Sequence, residues 1–208
     1  DEIWISQKVS IKKDENDQIT GYSCIMRDIT TTKLIELEEH KRVEEISRLN
    51  SISNKLSTLN FLTFPSLDTL IQHICKETAI GLKIDRVALW KYEKDQIDLK
   101  NIYVHSEDKH YADLSIPKKN ISNYISNIES QPIIIASNVF KDESLKEFTI
   151  EYFPKYDIKS LLDIPIYIGG ELNNILCLEA THEFRYWTNE DINFCKTVAE
   201  IIGMSVSW

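Results

Sequence analysis

The sequence predicts an α+β chain: a central, mostly antiparallel sheet of about five to six strands with helices on one face, preceded by a β-hairpin and a long helix. Three observations predict it. The opening residues alternate with the two-residue period of strands. From about residue 31 to residue 59 the period becomes helical and the composition highly charged. From residue 86 onward, short runs of Ile, Val and Leu alternate with turns, and an amphipathic helix stands on either side of them.

The first two strands are "WISQKVSIKK" and "ITGYSCIMRD", with "DENDQ" as the polar turn between them. A lone hairpin is marginal in water, so it is expected to belong to a larger sheet and the N-terminus to be cut from a longer polypeptide. Asp28 and Thr30 to Thr32 are N-cap candidates, and Glu36, Glu38 and Glu39 fall in the early turns, where the helix dipole favours carboxylates. Along the helix, Leu49, Ile52, Leu56 and Leu59 follow a–d heptad spacing. Arg42 at an a position, with Glu38 and Glu45 at d positions, confines that seam to the second half. A helix with this little to bury bridges two domains or pairs with a partner, so a parallel homodimer through the flanking helices is expected, with those four residues as its seam.

Pro65 ends this element and Ser66 caps the next, a helix to Leu82 with Leu67, Leu70, Ile71, Ile74 and Thr78 on one face. Strands are expected at 86–92, 98–106, 131–137, 160–168 and 172–180, with a short one near 112–117. Short helices are expected at 121–128 and 143–152. Gly169-Gly170 makes a tight hairpin turn because both residues tolerate positive φ. Thr188 caps the last helix with Asp191 as its capping-box partner, and Ile192, Cys195, Ala199, Ile202 and Val206 form one stripe. That helix is still amphipathic at residue 208, so the C-terminus is also expected to be cut.

Composition limits the function. A net charge of -9, with Lys12-Lys13 and Lys118-Lys119 as isolated basic pairs, gives no surface for nucleic acid. No apolar run is long enough to span a bilayer and no signal peptide is visible, so neither membrane insertion nor secretion is expected. Cys24, Cys75, Cys177 and Cys195 lie far apart, form no CxxC unit and suit a reducing cytoplasm.

Two resemblances follow. Residues 65–208 resemble a GAF domain, on "DIKSLLDIPIYIGGELNNILCLEA" and on "FRYWTNEDINFCKTVAEIIGMSV", where Arg185, Trp187, Thr188 and Asp191 open the terminal helix. Residues 1–30 resemble the last hairpin of a PAS domain, on "GYSCIMRDITTTKLIE" with its Asp28-Ile29-Thr30 hinge, and 31–64 form a signalling helix. The resemblance implies a cytoplasmic module of a bacterial multidomain sensor, such as a two-component protein. Such a module binds a small molecule or dimerises. It relays a helix movement to an output domain in the same chain, a histidine kinase or a cyclic-di-GMP enzyme. No catalytic signature of those outputs occurs in these residues, which are not expected to be an enzyme themselves. A thiol- or metal-dependent GAF enzyme and a ligand-free dimerisation spacer are the alternatives.

The candidate chemistries divide unequally. Glu179, His182 and Glu183 offer metal-binding atoms, but they leave a strand for a turn and lack the two-histidine helical spacing of a zincin. No cofactor is expected. With no cysteine between Lys83 and Leu176, neither a covalent bilin nor a pocket-thiol reductase is expected. His105 and His110 are the residues that haem would require, and both read as strand-end or loop residues. The Asn-Lys-x-Phe-Asp-Glu signature of cyclic-nucleotide-binding GAF domains is not reproduced by "SNVFKDE". What remains is a pocket for an unidentified small molecule, between the sheet and the short helices. Its expected wall is Trp90, Tyr103, His105, Tyr124, Phe148, Tyr152 and Phe153, with Ser137, Asn138 and Asp142 as polar members. Arg185 is expected to pair with a carboxylate or a carbonyl, and Trp187 to seal the core beneath the last helix.

Overall fold

Strands β1 (Ile5–Lys13) and β2 (Ile19–Asp28) form an antiparallel hairpin in a computed structural model that describes residues 2–207. The Asp14 carboxylate accepts from the backbone of Asn16 and Gln18, both at 2.9 Å, and folds the turn. Apolar side chains are exposed on the hairpin, Ile11, Tyr22 and Met26 among them. Asp28 Oδ1 accepts from the Thr30 amide at 2.8 Å, and Thr30 Oγ1 accepts from the Trp4 amide at 2.9 Å. The hinge thereby ties the start of helix α1 (Thr30–Ser57) to the hairpin. The Thr30 hydrogen bonds also hold the Asp28 carboxyl below its ordinary pKa.

The chain divides into two compact units, 1–47 and 48–208, with the boundary inside α1. The second unit contains a seven-stranded sheet in the order β5-β4-β3-β9-β8-β7, with β6 beside β4 and every pair antiparallel. These strands are β3 (Arg86–Tyr92), β4 (Gln96–Val104), β5 (Lys109–Tyr111), β6 (Ser115–Pro117), β7 (Ile134–Ala136), β8 (Ile158–Ile168) and β9 (Glu171–Thr181). At the β8–β9 turn, Gly169 and Gly170 have φ of 61° and 88°, the positive values a two-residue hairpin needs at both positions.

Helices α2 (Leu67–Leu82) and α5 (Asn189–Val206) pack with the end of α1 on one face of the sheet. Capping boxes open both α2 and α5: Ser66 with Thr69, and Thr188 with Asp191. Val87, Leu89, Leu162, Leu176 and Leu178 face these helices. The opposite face is covered by α3 (Ser122–Ser130), a 3-10 turn over Glu143–Phe148 and the short α4 (Tyr152–Lys155). The alternation of β3, β8 and β9 explains this, since both of their faces are apolar and each needs a cover.

The four residues of the expected seam are covered largely by the chain's own helices. Leu49 and Leu56 are 3% and 0% exposed within the chain's own core, and Ile52 and Leu59 pack beside them. Gly81 on α2 permits this approach, because a Cβ there would stand 2.9 Å from Ile52 Cδ1. Spacing that suits a partner helix suits α2 and α5 equally well. The exposed apolar residues of α1 are instead Leu34, Ile35, Leu37 and Val43.

Candidate functional site

Between the sheet and the short helices lies a cavity of about 30 Å³, room for about two water-sized groups. Five side chains expected in the pocket line it: Trp90 from β3, Tyr124 from α3, Phe148 from the 3-10 turn, and Tyr152 and Phe153 from α4. Their rings pack in tilted and edge-on pairs, Tyr124 against Phe148 at 5.3 Å and Phe148 against Tyr152 at 5.9 Å between centroids.

The sheet beneath these rings is charged. Arg86 on β3 stands opposite Glu179 on β9, which stands opposite Leu161 on β8. One row along, Ala88, Cys177 and Asp163 are aligned. Glu179 is 2% exposed and Arg86 is 8% exposed. Arg86 Nε donates to Glu179 Oε2 at 2.7 Å, and Tyr152 Oη donates to Glu179 Oε1 at 2.9 Å. Burial works against the Arg86 charge, but the Glu179 carboxylate outweighs it and holds the guanidinium above its ordinary pKa. The Arg86 guanidinium also lies over the Tyr156 ring, 4.3 Å from its centroid.

Asp163 is 1% exposed and has no cation. Tyr124 Oη donates to its Oδ2 at 2.7 Å, while Oδ1 has no hydrogen-bond partner. The Cys177 thiol, a weak donor, lies beside Asp163, but its hydrogen bond of 3.8 Å runs to Glu179 Oε1. Burial pushes the Asp163 carboxyl up to about 7; the Cys177 and Tyr124 contacts oppose this and the Glu179 charge adds to it. Burial likewise drives the Cys177 thiol and the Tyr124 and Tyr152 hydroxyls well above their ordinary values.

The shift at Asp163 has a sign for stability. Its folded pKa is raised, so the stability of the neutral acid is fully present below the unfolded pKa and is lost as pH rises through about 7. Asp163→Asn keeps the shape and cannot ionise. Relative to wild type it is expected to gain about 2–3 kcal/mol between pH 5 and pH 8, read from urea unfolding at both. An unchanged difference at the two pH values would show an unshifted carboxyl.

Other expected members lie elsewhere. Tyr103 pairs with Val87 and faces α2, on the far side of the sheet from Trp90. Its hydroxyl donates to Asp108 Oδ1 at 2.8 Å, and His105 stays beside it, 6.2 Å between ring centroids. Ser137 gives its carbonyl to Ser160 Oγ at 2.8 Å, and Asn138 folds a local turn onto the Phe140 amide at 3.1 Å. Asp142 caps the 3-10 turn through Ser144 at 2.9 Å. Asp163 and Glu179 line the cavity and Arg86 pairs with Glu179, and sequence reasoning left all three charges out of the site. Their signal was a charge inside the apolar runs "RVALWKY", "SLLDIPIYI" and "ILCLEA".

The crowded run 179–191 divides in space. His182, at φ 67°, pairs with Asp157 at 2.9 Å, away from buried Glu179. Among the described residues, no three metal-ligating side chains come together. Arg185 donates from Nη1 to the Leu82 carbonyl at 2.9 Å and from Nη2 to Asp191 Oδ1 at 3.0 Å. Trp187 is 4% exposed, with the Arg185 guanidinium 5.0 Å from its ring centroid. This hub joins the end of α2 to the start of α5.

The family model described as GAF domain matches residues 66–206. Similar folds occur in the phycocyanobilin-bound GAF domain of a cyanobacterial phytochrome (TM-score 0.64, 15% identity, 76% of this chain and 93% of that one). They also occur in the GAF domain of a Coxiella burnetii phosphoenolpyruvate-protein phosphotransferase (0.60, 17%, 78% and 92%). A third is the GAF domain of a two-component sensor histidine kinase from Bacillus halodurans (0.50, 21%, 65% and 92%). No curated protein sequence matches the chain. Among the described residues, no helix is long and apolar enough to cross a membrane.

Proposed function

Because the chain belongs to the GAF domain family over residues 66–206, we propose that it is a sensory module holding a small molecule under α3 and α4 and relaying its presence through α1 and α5. One observation carries the reading. The buried Asp163 lines a cavity and leaves Oδ1 unpartnered, which is costly unless something enters to meet it. The phytochrome, phosphotransferase and histidine-kinase domains of similar fold support a regulatory role.

The relay follows from which elements share a core. Strands β8 and β9 carry Asp163 and Glu179 on the cavity face and Leu162, Leu176 and Leu178 on the face packed by α1, α2 and α5. A ligand that favours one arrangement of these strands biases the helices packed behind them. The output lies outside these residues, in a histidine kinase or a cyclic-di-GMP enzyme of a bacterial cytoplasmic protein. The hairpin and its Asp28-Ile29-Thr30 hinge supply the PAS-like input. A homodimer along α1 belongs to this reading, now through exposed Leu34, Ile35 and Val43.

Native mass spectrometry of the purified protein tests the ligand. The expected result is a small-molecule adduct that is absent from Phe148→Trp, whose larger ring fills the cavity. A bare polypeptide mass, with no small molecule raising the melting temperature, leaves only the dimerisation spacer.

A further inference from the structure

The cavity walls narrow the chemistry of the occupant, on the reading that the cavity is a ligand site. Arg86 is committed to Glu179 at 2.7 Å and stacks on Tyr156, so it balances one carboxylate and no more. Asp163 is the second carboxylate; its Oδ1 has no partner, and the residue lines the space bounded by Trp90, Tyr124, Phe148 and Phe153. Ring faces attract cations, and an unpartnered carboxylate oxygen accepts only from a donor. Anions meet two carboxylates there, and an uncharged apolar group leaves Oδ1 unmet.

We infer that the cavity takes the protonated head of a small primary amine, which donates to Asp163 Oδ1 and lies against the surrounding rings. The cavity's size suits a head of two heavy atoms. Trp90 and Tyr152 also line an adjoining open cleft of about 420 Å³, bordered by Leu99, Glu107 and Tyr111, where the body of a longer amine extends. The titratable groups that line the cavity with Asp163 are Tyr124 from α3, Tyr152 from α4, and Cys177 and Glu179 from β9, with Arg86 from β3 paired to Glu179. Burial keeps Tyr124, Tyr152 and Cys177 neutral and Arg86 stays charged, so Asp163 is the group among them that gains its charge near neutrality.

Calorimetric titration with methylammonium chloride tests the inference, with methanol and sodium formate as neutral and anionic probes of equal size. Methylammonium is expected to bind saturably at pH 8. Its affinity is expected to fall at least tenfold at pH 5.5 and at least tenfold in Asp163→Asn at pH 8, with circular dichroism confirming the variant's fold. Binding that ignores both changes overturns the inference. If methanol or formate binds and methylammonium does not, the cavity is a ligand site for another chemistry and the amine assignment falls alone. If none binds and native spectra show bare protein, the ligand-site reading falls with it.

Discussion

Arg86→Met is expected to cost about 3–5 kcal/mol of folding stability, the largest effect of any substitution in the cluster. The cost does not measure the worth of the ion pair. Glu179 is 2% exposed and keeps only Tyr152 and the weak Cys177 donor when the guanidinium is removed. A buried carboxylate without its cation is the expensive species, and the pair itself does not far exceed an apolar substitute. Arg86→Met with Glu179→Leu is therefore expected to recover most of the loss, in urea unfolding followed by tryptophan fluorescence. A single variant within about 1 kcal/mol of wild type would mean that the two groups are hydrated in solution.

Leu56→Ala is expected to cost about 2–5 kcal/mol, since Leu56 is 0% exposed and packs within the core shared by α1, α2 and α5. The loss should not depend on protein concentration, because the contacts are made within one chain. A dimer seam at Leu56 itself predicts the opposite, a loss that grows with protein concentration.

These two cases mark where the sequence was legible. Strand, turn and cap positions are local properties, so the Gly169-Gly170 hairpin and the Thr188–Asp191 capping box could be read from neighbours a few residues apart. The antiparallel sheet followed from them. The site is not local. Arg86 and Glu179 meet only because β3 pairs with β9, although they are 93 positions apart in the chain. A charge inside "SLLDIPIYI" marks a buried carboxylate, but the sequence alone does not say which face of the sheet it takes. Tyr103 shows how parity decides such questions. It stands opposite Val87, and Val87 and Trp90 point to opposite faces, so Tyr103 joins α2 and leaves the cavity to Trp90. The leucine spacing of α1 was visible as well, but an apolar stripe reads the same whether a partner chain or the chain's own helices cover it.

The Asp163 carboxylate is buried, hydrogen-bonded through one oxygen and free at the other. A carbon-13 NMR titration of the Asp163 side-chain carboxyl, assigned by its loss in Asp163→Asn, measures that state directly. A midpoint near the value of about 7 that burial imposes, displaced downward by saturating methylammonium, is the predicted result. A midpoint near that of a solvated aspartate, about 4, would contradict it, because the carboxyl would then already have its partner or its water.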